Sequence, residues 1–287
     1  MKTVLVTGAN GQLGRCLQDY VNENPHPEFQ FLFMDRARLD VSKKEIVETF
    51  FFSNQIDFCI NCAAYTAVDQ AESDAENAFK ANADAVKHLA EECNEQNAVL
   101  IHISTDYVFG NTKNTPIHPL DTDTVPSSIY GMTKLEGEEN IKNSHSCYAI
   151  IRTAWLYSEF GTNFVKTMIN VGGKSENVNV VYDQVGSPTY AVDLARAIMA
   201  MVGKLDSFTS ETLHYTNEGV CSWYDFAKKI MELKKLKCTV NPIVSNQFPS
   251  PAPRPSYSVL DKQPIKDLLS ITIPHWEDSL KECLKKL

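Results

Sequence analysis

The sequence predicts an α/β fold in which a doubly wound parallel sheet carries a smaller C-terminal lobe. Two observations lead to this prediction. Short apolar runs alternate with amphipathic stretches along the chain, and a glycine-rich turn directly follows the first apolar run. Strands separated by helices imply right-handed crossovers and a parallel sheet covered on both faces. The length of 287 residues favours one large domain with an appended lobe over several independent modules.

The first elements follow one another in a regular order. Residues 3–7 (TVLVT) form a β-branched run that stops at Gly8, and a helical pattern starts near Gly11. The same alternation continues as far as residue 103. It predicts strands at 29–34, 57–61 and 98–103, and helices at 43–52 and 74–95.

The pattern changes after residue 104. A loop rich in Pro, Thr and Asp covers 111–127, and a loop of that length inside a compact domain is usually functional. The proline-rich stretch 242–256 is predicted to be an ordered loop. The remaining predictions are strands at 148–153, 178–182 and 212–216, and helices at 128–143, 161–172, 190–203, 222–235 and 275–287.

Composition and charge exclude several classes of protein. The formal net charge is -9 and the basic residues are scattered, which argues against a nucleic acid polymer as partner. No apolar stretch is long enough to span a bilayer, so we expect no membrane partner. Eight cysteines are present, but the one close pair, Cys59 and Cys62, lies in an apolar run and no second pair completes a metal site. With no signal-peptide pattern at the N-terminus, we expect a reduced, cytoplasmic protein.

The glycine turn predicts a dinucleotide site. It reads GANGQLG and places Gly8, Gly11 and Gly14 between the first strand and the first helix. In that position glycines permit a tight turn, close approach of the backbone to a pyrophosphate, and close packing of helix on strand. The alternative is a plain turn between strand and helix. The position of the motif favours a Rossmann-type sheet that binds NADH or NADPH.

The end of the second strand carries two charged residues of opposite sign. Asp35 stands about 20 residues past the turn, where a carboxylate accepts hydrogen bonds from the adenosine ribose and favours NADH. Arg36 follows and could hold the 2′-phosphate of NADPH instead. A little later, Asp40 and Val41 could lie near the adenine. A surface carboxylate without a ligand is the alternative for Asp35.

The catalytic prediction depends on the segment YGMTK. On a helix, Tyr130 and Lys134 lie on one face, a turn apart. A nearby ammonium favours the phenolate and is expected to lower the tyrosine pKa, so that Tyr130 can exchange a proton with a carbonyl oxygen. Thr105 lies at the carboxyl end of the strand 98–103 and could donate to the same oxygen. Ser104 could do so instead, and the sequence leaves that choice open.

These motifs, in this order, resemble the extended short-chain dehydrogenases/reductases, and more narrowly the dTDP-4-dehydrorhamnose reductase family. The resemblance covers nearly the whole chain. Besides the glycine turn, STDYVF and YGMTK, it is carried by the segments CAAYTAVD (62–69), RTAWLY (152–157), NFVKTM (163–168), DQVGSPT (183–189) and PRP (253–255).

The resemblance implies a reaction and a set of site residues. The family reduces the C4 ketone of dTDP-4-dehydro-L-rhamnose with NADPH or NADH, giving dTDP-L-rhamnose for surface polysaccharide. Tyr130 would be the proton donor, and Lys134 would orient the nicotinamide ribose. Further cofactor contacts would come from Gln12 and Leu13 at the diphosphate and from Ala63, Ala64 and Thr66 at the middle of the cofactor. Substrate contacts would come from Thr105, Asp106, Trp155, Asn163 and Arg254.

The resemblance also bears on domains, metal and assembly. Residues 1–153 are expected to form the dinucleotide-binding Rossmann domain with the catalytic helix. Residues 154–287 are expected to form mainly a substrate-binding lobe, with some segments returning to the sheet. Some family members bind magnesium at a dimer interface through a glutamate, and Cys16 stands at that position here. We therefore expect no metal site, and either a monomer or a homodimer.

Two other functions fit the same residues. One is a reductase or epimerase that acts on another nucleotide sugar, because the hydride and proton chemistry would be the same. The other is a non-catalytic regulatory homologue, since a relative of this family regulates methionine adenosyltransferase. The presence of Tyr130, Lys134 and Thr105 argues against a regulatory role.

Overall fold

The structure is a computed structural model that describes residues 1–144, 147–204 and 210–287. A π-helical turn, Lys80–Asp84, joins two of its helices. The helices and strands in chain order are β1 (Lys2–Thr7), α1 (Gln12–Glu23), β2 (Phe29–Met34), α2 (Lys44–Ser53), β3 (Phe58–Asn61), α3 (Val68–Ala71), α4 (Ala75–Phe79), α5 (Ala85–Gln96), β4 (Val99–Thr105), α6 (Ile129–Asn143), β5 (Cys147–Thr153), β6 (Leu156–Tyr157), α7 (Phe164–Gly172), β7 (Asn177–Val181), β8 (Val185–Gly186), β9 (Thr189–Tyr190), α8 (Ala191–Val202), β10 (Glu211–His214), β11 (Cys221–Ser222), α9 (Trp223–Leu233), β12 (Thr239–Ile243), β13 (Tyr257–Ser258), α10 (Gln263–Leu269) and α11 (Trp276–Lys285).

A parallel sheet forms the centre of the molecule. Its strand order is β10-β5-β4-β3-β1-β2, and each neighbouring pair is parallel. The chain adds strands first on one side of β1 and then on the other, so the order reverses between β1 and β3. Ligands of such sheets bind at the carboxyl ends of the strands beside this reversal. The predicted α/β fold with a doubly wound parallel sheet is confirmed.

The two faces of the sheet are covered by different helices. Because strand side chains alternate, Val4 and Val6 of β1 point to one face and pack in the same core as residues of α1, α8 and α10. Leu5 points to the other face and packs with residues of α2, α5 and α6. Sheets covered on both faces have strands that are apolar almost throughout, which is why β1 reads as a continuous apolar run.

A second core lies under the C-terminal segments. Tyr157, Phe226 and Trp276 pack together there, with ring centroids 5.4 Å apart for the first two and 5.6 Å apart for the last two. Around this core β12 pairs with β7, and β8 pairs with both β11 and β13. Meanwhile β10 joins the central sheet and α8 packs in the same core as α1. The division of the chain at residue 153 stays a prediction.

One predicted helix was wrong, and β12 and α10 are among the elements that the sequence predictions missed. The helix predicted at 74–95 is two helices joined by the π-helical turn. In that turn Asn82 Oδ1 accepts from the backbone nitrogen of Tyr65, and Asn82 Nδ2 donates to its carbonyl oxygen. Strand β12 lies in a stretch with no strand prediction, and it contains Pro242, which the outer position of a two-stranded sheet tolerates. Helix α10 was also missed, although Pro264 in its first turn is a common helix start.

Within the described residues, the helices are all too short or too polar to cross a bilayer.

Replacing Gly137 by alanine tests the close packing of α6 on the π-helical turn. A Cβ atom at Gly137 would meet the carbonyl oxygen of Asn82. The carbonyl oxygen is a backbone atom and the Cβ atom would be attached directly to the helix backbone, so neither can move aside easily. We therefore expect Gly137→Ala to lower the free energy of unfolding by about 1–3 kcal/mol, measured by urea denaturation. The matched control is Gly173→Ala, where the nearest atom lies 3.4 Å away, and it should change stability by less than about 0.5 kcal/mol. Equal stability of the two variants would contradict this packing.

Candidate active site

The glycine turn after β1 lies against the end of β3. Gly8 has φ +63°, and a Cβ atom there would lie 2.6 Å from the backbone nitrogen of Ala63. A Cβ atom at Gly14 would lie 2.5 Å from the carbonyl oxygen of Gly8. Among the described residues, no side chain caps the first turn of α1 and no acidic residue stands in it. The uncapped N-terminus of α1 leaves backbone N–H groups available to a diphosphate, and the glycines allow the diphosphate to approach the backbone closely.

A cavity of about 700 Å³ opens beside this turn, at the predicted edge of the sheet. Two sets of residues line it. The predicted ones are Gly8, Gly11, Asp35, Arg36, Asp40, Val41, Ala63 and Ala64. Those that the sequence did not suggest are Asn10, Ala37, Leu39, Ser42, Cys62, Tyr65, Asp74, Asn77, Lys80 and Ala81. The additional residues come from loops, α4 and the π-helical turn, whose approach to the turn depends on tertiary packing and left no sequence signal.

The remaining predicted cofactor residues lie outside this cavity. Leu13 is buried in the core beneath α1, and Thr66 is exposed. Tyr130 and Lys134 lie farther along the same edge, on α6. Their assignments stay predictions.

Two charged side chains that follow β2, those of Asp35 and Arg36, line this cavity. Asn10 Nδ2 donates to Asp35 Oδ2 at 2.8 Å, and the backbone nitrogen of Arg38 donates to Asp35 Oδ1 at 3.0 Å. The Arg36 side chain is 86% exposed, with its Nε 3.7 Å from a carboxylate oxygen of Asp40. The carboxylate suits a ribose hydroxyl and the guanidinium suits a 2′-phosphate. The turn, the cavity and this pair therefore fit a nicotinamide dinucleotide.

The side chain of Gln12 reaches toward the C-terminal lobe. Its Oε1 accepts from Asn163 Nδ2 at 2.8 Å and from the Ser158 hydroxyl at 3.1 Å. Asn163 Oδ1 also caps α7 by accepting from the backbone nitrogen of Lys166 at 3.2 Å. The structure therefore places Asn163 between the two parts of the chain, and its substrate contact stays a prediction.

A buried hydrogen-bonded row crosses three strands at the edge of the sheet. Thr7, Asn61 and His102 are register neighbours on β1, β3 and β4, so their side chains share the sheet face that α6 covers. The Thr7 hydroxyl donates to Asn61 Oδ1 at 2.6 Å, and Asn61 Nδ2 lies 3.1 Å from His102 Nδ1. His102 Nε2 lies 3.1 Å from Lys134 Nζ. We call these four residues the polar row.

The Lys134 side chain is almost completely buried. Its Nζ donates to the carbonyl oxygen of Ile103 at 2.7 Å. Burial lowers the pKa of Lys134 to about 8. The charge of Glu138 and the thiol of Cys62 act in the opposite direction and raise this pKa, but by less. Glu138 is itself bound by Arg152, whose Nε and Nη2 donate to its two oxygens at 2.9 and 2.6 Å.

Tyr130 lies in the first turn of α6. The helix begins there because the Ser128 hydroxyl accepts from the backbone nitrogen of Gly131 at 3.1 Å. Burial raises the pKa of Tyr130 to about 12, and a hydrogen bond with the Thr105 side chain lowers it only in part. The prediction that Lys134 lowers this pKa was wrong for this structure, because the cost of burying a phenolate outweighs its favourable contacts.

The geometry distinguishes Thr105 from Ser104. Ser104 shares the sheet face of His102, and its hydroxyl donates to Glu138 Oε1 at 2.6 Å beneath α6. Thr105 instead lies beside the phenol of Tyr130, and its hydroxyl donates to Asp106 Oδ1 at 3.0 Å. Of the two hydroxyls, only that of Thr105 can share a carbonyl oxygen with Tyr130.

Asp106 is a buried carboxyl group with an unused oxygen. Its Oδ1 accepts from Thr105, whereas Oδ2 is buried and has no hydrogen-bond partner among the described residues. Burial raises the pKa of Asp106 to about 7. An unpartnered buried oxygen next to Thr105 suits a hydroxyl group of a bound sugar.

Trp155 and Arg254 are both predicted to contact the substrate. In the structure, Trp155 contacts another tryptophan and Arg254 forms an ion pair with an aspartate. The Trp155 ring stacks on that of Trp223, with centroids 3.6 Å apart. The backbone of Trp155 lies in the left-handed region, with a φ of +50°. Arg254 forms a two-pronged ion pair with Asp69, Nη1 to Oδ1 at 3.0 Å and Nη2 to Oδ2 at 2.7 Å. This pair connects the proline-rich loop to α3.

The edge of the sheet therefore carries the parts of a carbonyl reduction site. Tyr130 is a protonated phenol at neutral pH, Thr105 is a second hydroxyl beside it, and Lys134 is a buried basic group one helical turn away. Two donors that meet one oxygen stabilise the alkoxide that forms there.

Comparison with known proteins gives consistent results over the whole chain. Residues 1–287 match the family model described as the RmlD substrate binding domain. The chain is 36% identical over 296 residues to a dTDP-4-dehydrorhamnose reductase of Aggregatibacter actinomycetemcomitans, with 98% of each chain covered.

Two solved structures are similar at full length. One, a dTDP-4-dehydrorhamnose reductase of Clostridium acetobutylicum, has a TM-score of 0.93 and 42% identity, and the match covers 99% of this chain and 98% of that one. The other, a dTDP-4-dehydrorhamnose reductase of Bacillus anthracis in complex with NADP, has a TM-score of 0.93 and 37% identity over 100% of both chains. The chain therefore belongs to the RmlD substrate binding domain family, the family of the dTDP-4-dehydrorhamnose reductases.

Proposed function

We propose that this chain is an NAD(P)H-dependent oxidoreductase that reduces the C4 ketone of dTDP-4-dehydro-L-rhamnose to dTDP-L-rhamnose, a precursor of surface polysaccharide. Membership of the family over residues 1–287 supports the substrate. The pairing of Tyr130 with Thr105 at the carboxyl edge of the sheet is the observation that carries the chemistry. The relative from Bacillus anthracis, which was solved with NADP, supports the cofactor.

The residues of the edge would share the reaction as follows. The reduced nicotinamide, when bound, supplies the hydride that adds to C4 of the sugar. Tyr130 donates its phenolic proton to the C4 oxygen, and its raised pKa keeps that proton in place at neutral pH. Thr105 donates to the same oxygen, while Lys134 supports Tyr130 and holds the ribose.

The sugar would lie between the sheet edge and the lobe. Asp106 offers its unpartnered oxygen to a sugar hydroxyl. The stacked pair of Trp155 and Trp223 offers an apolar wall for the sugar ring. In this proposal residues 1–153 hold the dinucleotide, and residues 154–287 supply most of the substrate contacts.

We further infer a cytoplasmic enzyme that is a monomer or a homodimer. The structure contains no disulfide among the cysteines that it describes, which suits a reducing compartment. No cluster of three or more His, Cys, Asp or Glu side chains that could hold a metal ion occurs in the described ranges. The proposed reaction uses none.

The direct test follows the absorbance of the reduced nicotinamide as it is consumed. The full chain is mixed with NADPH or NADH and enzymatically generated dTDP-4-dehydro-L-rhamnose, with a UDP-linked ketosugar as the control. We expect oxidation with the dTDP sugar. Activity with the UDP sugar alone would assign another nucleotide sugar, and no oxidation with either would favour a regulatory protein.

Replacing Tyr130 by phenylalanine removes the proposed proton donor and little else. We expect Tyr130→Phe to lower kcat by about 10²- to 10⁴-fold, because general acid catalysis contributes that range, while NADPH binding measured by calorimetry is unchanged. Tyr107→Phe is the matched control, since its ring lies 5.5 Å from that of Tyr130 and its hydroxyl has no place in the mechanism. Equal kcat in the two variants would remove Tyr130 from its role.

Replacing Arg36 by alanine tests how the cofactor is selected. The exposed guanidinium beside the ribose end of the cavity should bind a 2′-phosphate through charge-assisted hydrogen bonds. We expect Arg36→Ala to lower the ratio of kcat/KM for NADPH to that for NADH by about tenfold or more. Arg38→Ala is the control, because its Nη1 donates to the carbonyl oxygen of Phe33 instead. An unchanged ratio in Arg36→Ala would show that this guanidinium does not bind the 2′-phosphate of NADPH.

A further inference from the structure

The polar row contains an amide whose orientation is fixed. Asn61 Oδ1 accepts from the Thr7 hydroxyl at 2.6 Å and from the backbone nitrogen of Ala63 at 3.1 Å. A backbone N–H can only donate, so the oxygen of the amide must face it. The amide nitrogen is therefore turned toward His102, 3.1 Å from Nδ1.

This orientation determines which nitrogen of His102 carries the proton. An amide nitrogen donates and does not accept, so His102 Nδ1 must accept from Asn61. Burial holds the pKa of His102 well below its usual range, so the ring is neutral. A neutral imidazole whose Nδ1 accepts carries its single proton on Nε2.

The proton on Nε2 faces Lys134. Nε2 lies 3.1 Å from Lys134 Nζ, which also donates to the carbonyl oxygen of Ile103 at 2.7 Å. An ammonium group has three donors and no acceptor, so it cannot form a hydrogen bond with an N–H group. An uncharged amine can accept from His102 and donate to Ile103 at the same time.

We propose that His102 is a positioning residue for Lys134: its Nε2–H donates to Nζ and stabilises the uncharged amine form of the lysine in the nucleotide-free protein. The inference rests on the proposed function only in assigning Lys134 to the reaction. It follows from the row itself, in which Thr7, Asn61 and His102 are each at most 1% exposed and Lys134 is 2% exposed.

The other titratable groups around Lys134 allow this state. Glu138 lies one turn further along α6, but its carboxylate is bound by Arg152 and by the Ser104 hydroxyl. From the end of β3, Cys62 presents a thiol whose pKa burial raises beyond its ordinary value, so it is neutral. The carboxylate near Lys134 is thus already paired, and burial lowers the lysine pKa to about 8.

The tautomer of His102 can be observed directly. The full chain, freed of nucleotide and labelled with nitrogen-15 in histidine, is examined by long-range proton–nitrogen correlation NMR. The His102 signals are assigned by their loss in His102→Gln. We expect a protonated, pyrrole-like Nε2 and an unprotonated, pyridine-like Nδ1 at pH 9, above the lysine pKa of about 8. A proton on Nδ1, or on both nitrogens, would overturn the proposal.

A single substitution should reverse the tautomer. In Asn61→Asp a carboxylate oxygen replaces the amide nitrogen and must accept from His102, so the proton should move to Nδ1. Asn24→Asp is the matched control, because Asn24 lies exposed at the end of α1 and its substitution should leave the His102 signals unchanged. Retention of the Nε2 proton in Asn61→Asp would contradict the role of the amide. Should that variant fail to fold, the spectrum of the unmodified chain still decides the question.

The effect on Lys134 should be visible in the pH dependence of kcat/KM, which reports groups of the free enzyme. His102→Asn deletes the donor at Nε2, so the uncharged amine loses a partner and the apparent pKa should rise by about one unit. The glutamine amide of His102→Gln reaches the Nε2 position and should restore the original profile. A fall in this pKa, or no shift, would mean that His102 does not hold the amine.

The proposed reaction and the proposed role of His102 can each be contradicted without affecting the other. The NMR experiments contain no substrate, so they are unaffected by which ketosugar the protein reduces. Absence of activity with every ketosugar would leave the tautomer result standing, and the opposite tautomer would leave the assigned reaction untouched.

Discussion

The position of Lys134 depends on three strands that each bring one polar side chain to the same level of one sheet face. Thr7, Asn61 and His102 are register neighbours, and period-two alternation points all three toward α6. Buried polar groups without partners cost several kcal/mol, so such a row is stable only when its members bind one another. The row ends on Lys134 and thereby connects the sheet to the helix that carries Tyr130.

The same burial sets the proton chemistry of the site. It raises the pKa of Tyr130 to about 12, lowers that of Lys134 to about 8 and raises that of Asp106 to about 7. Each shift favours the neutral form of its group, which is the expected effect of a low-dielectric environment. A reduction needs a group that still holds its proton when the alkoxide forms, and the phenol meets that need. In the proposed reaction, Tyr130 therefore holds the proton that it donates before any ligand binds.

Sequence reasoning was successful where the signal was local. The glycine turn and the strand ending at Thr105 predicted the sheet, because each is a pattern within a few residues. The roles assigned to Tyr130 and Lys134 from their spacing stay predictions. The polar row and the ion pair of Arg254 with Asp69 depend on register and on packing between distant segments, so they left no local signal. The direction of the Tyr130 pKa was predicted wrongly because helical spacing does not reveal burial.

The most direct test of the reaction is the fate of the transferred hydrogen. The full chain is given dTDP-4-dehydro-L-rhamnose and NADPH deuterated at both C4 positions of the nicotinamide, and the product sugar is examined by NMR and mass spectrometry. We expect one deuterium, located on C4 of dTDP-L-rhamnose, with the hydroxyl proton derived from solvent through Tyr130. Deuterium at another carbon, or a product without deuterium, would contradict it.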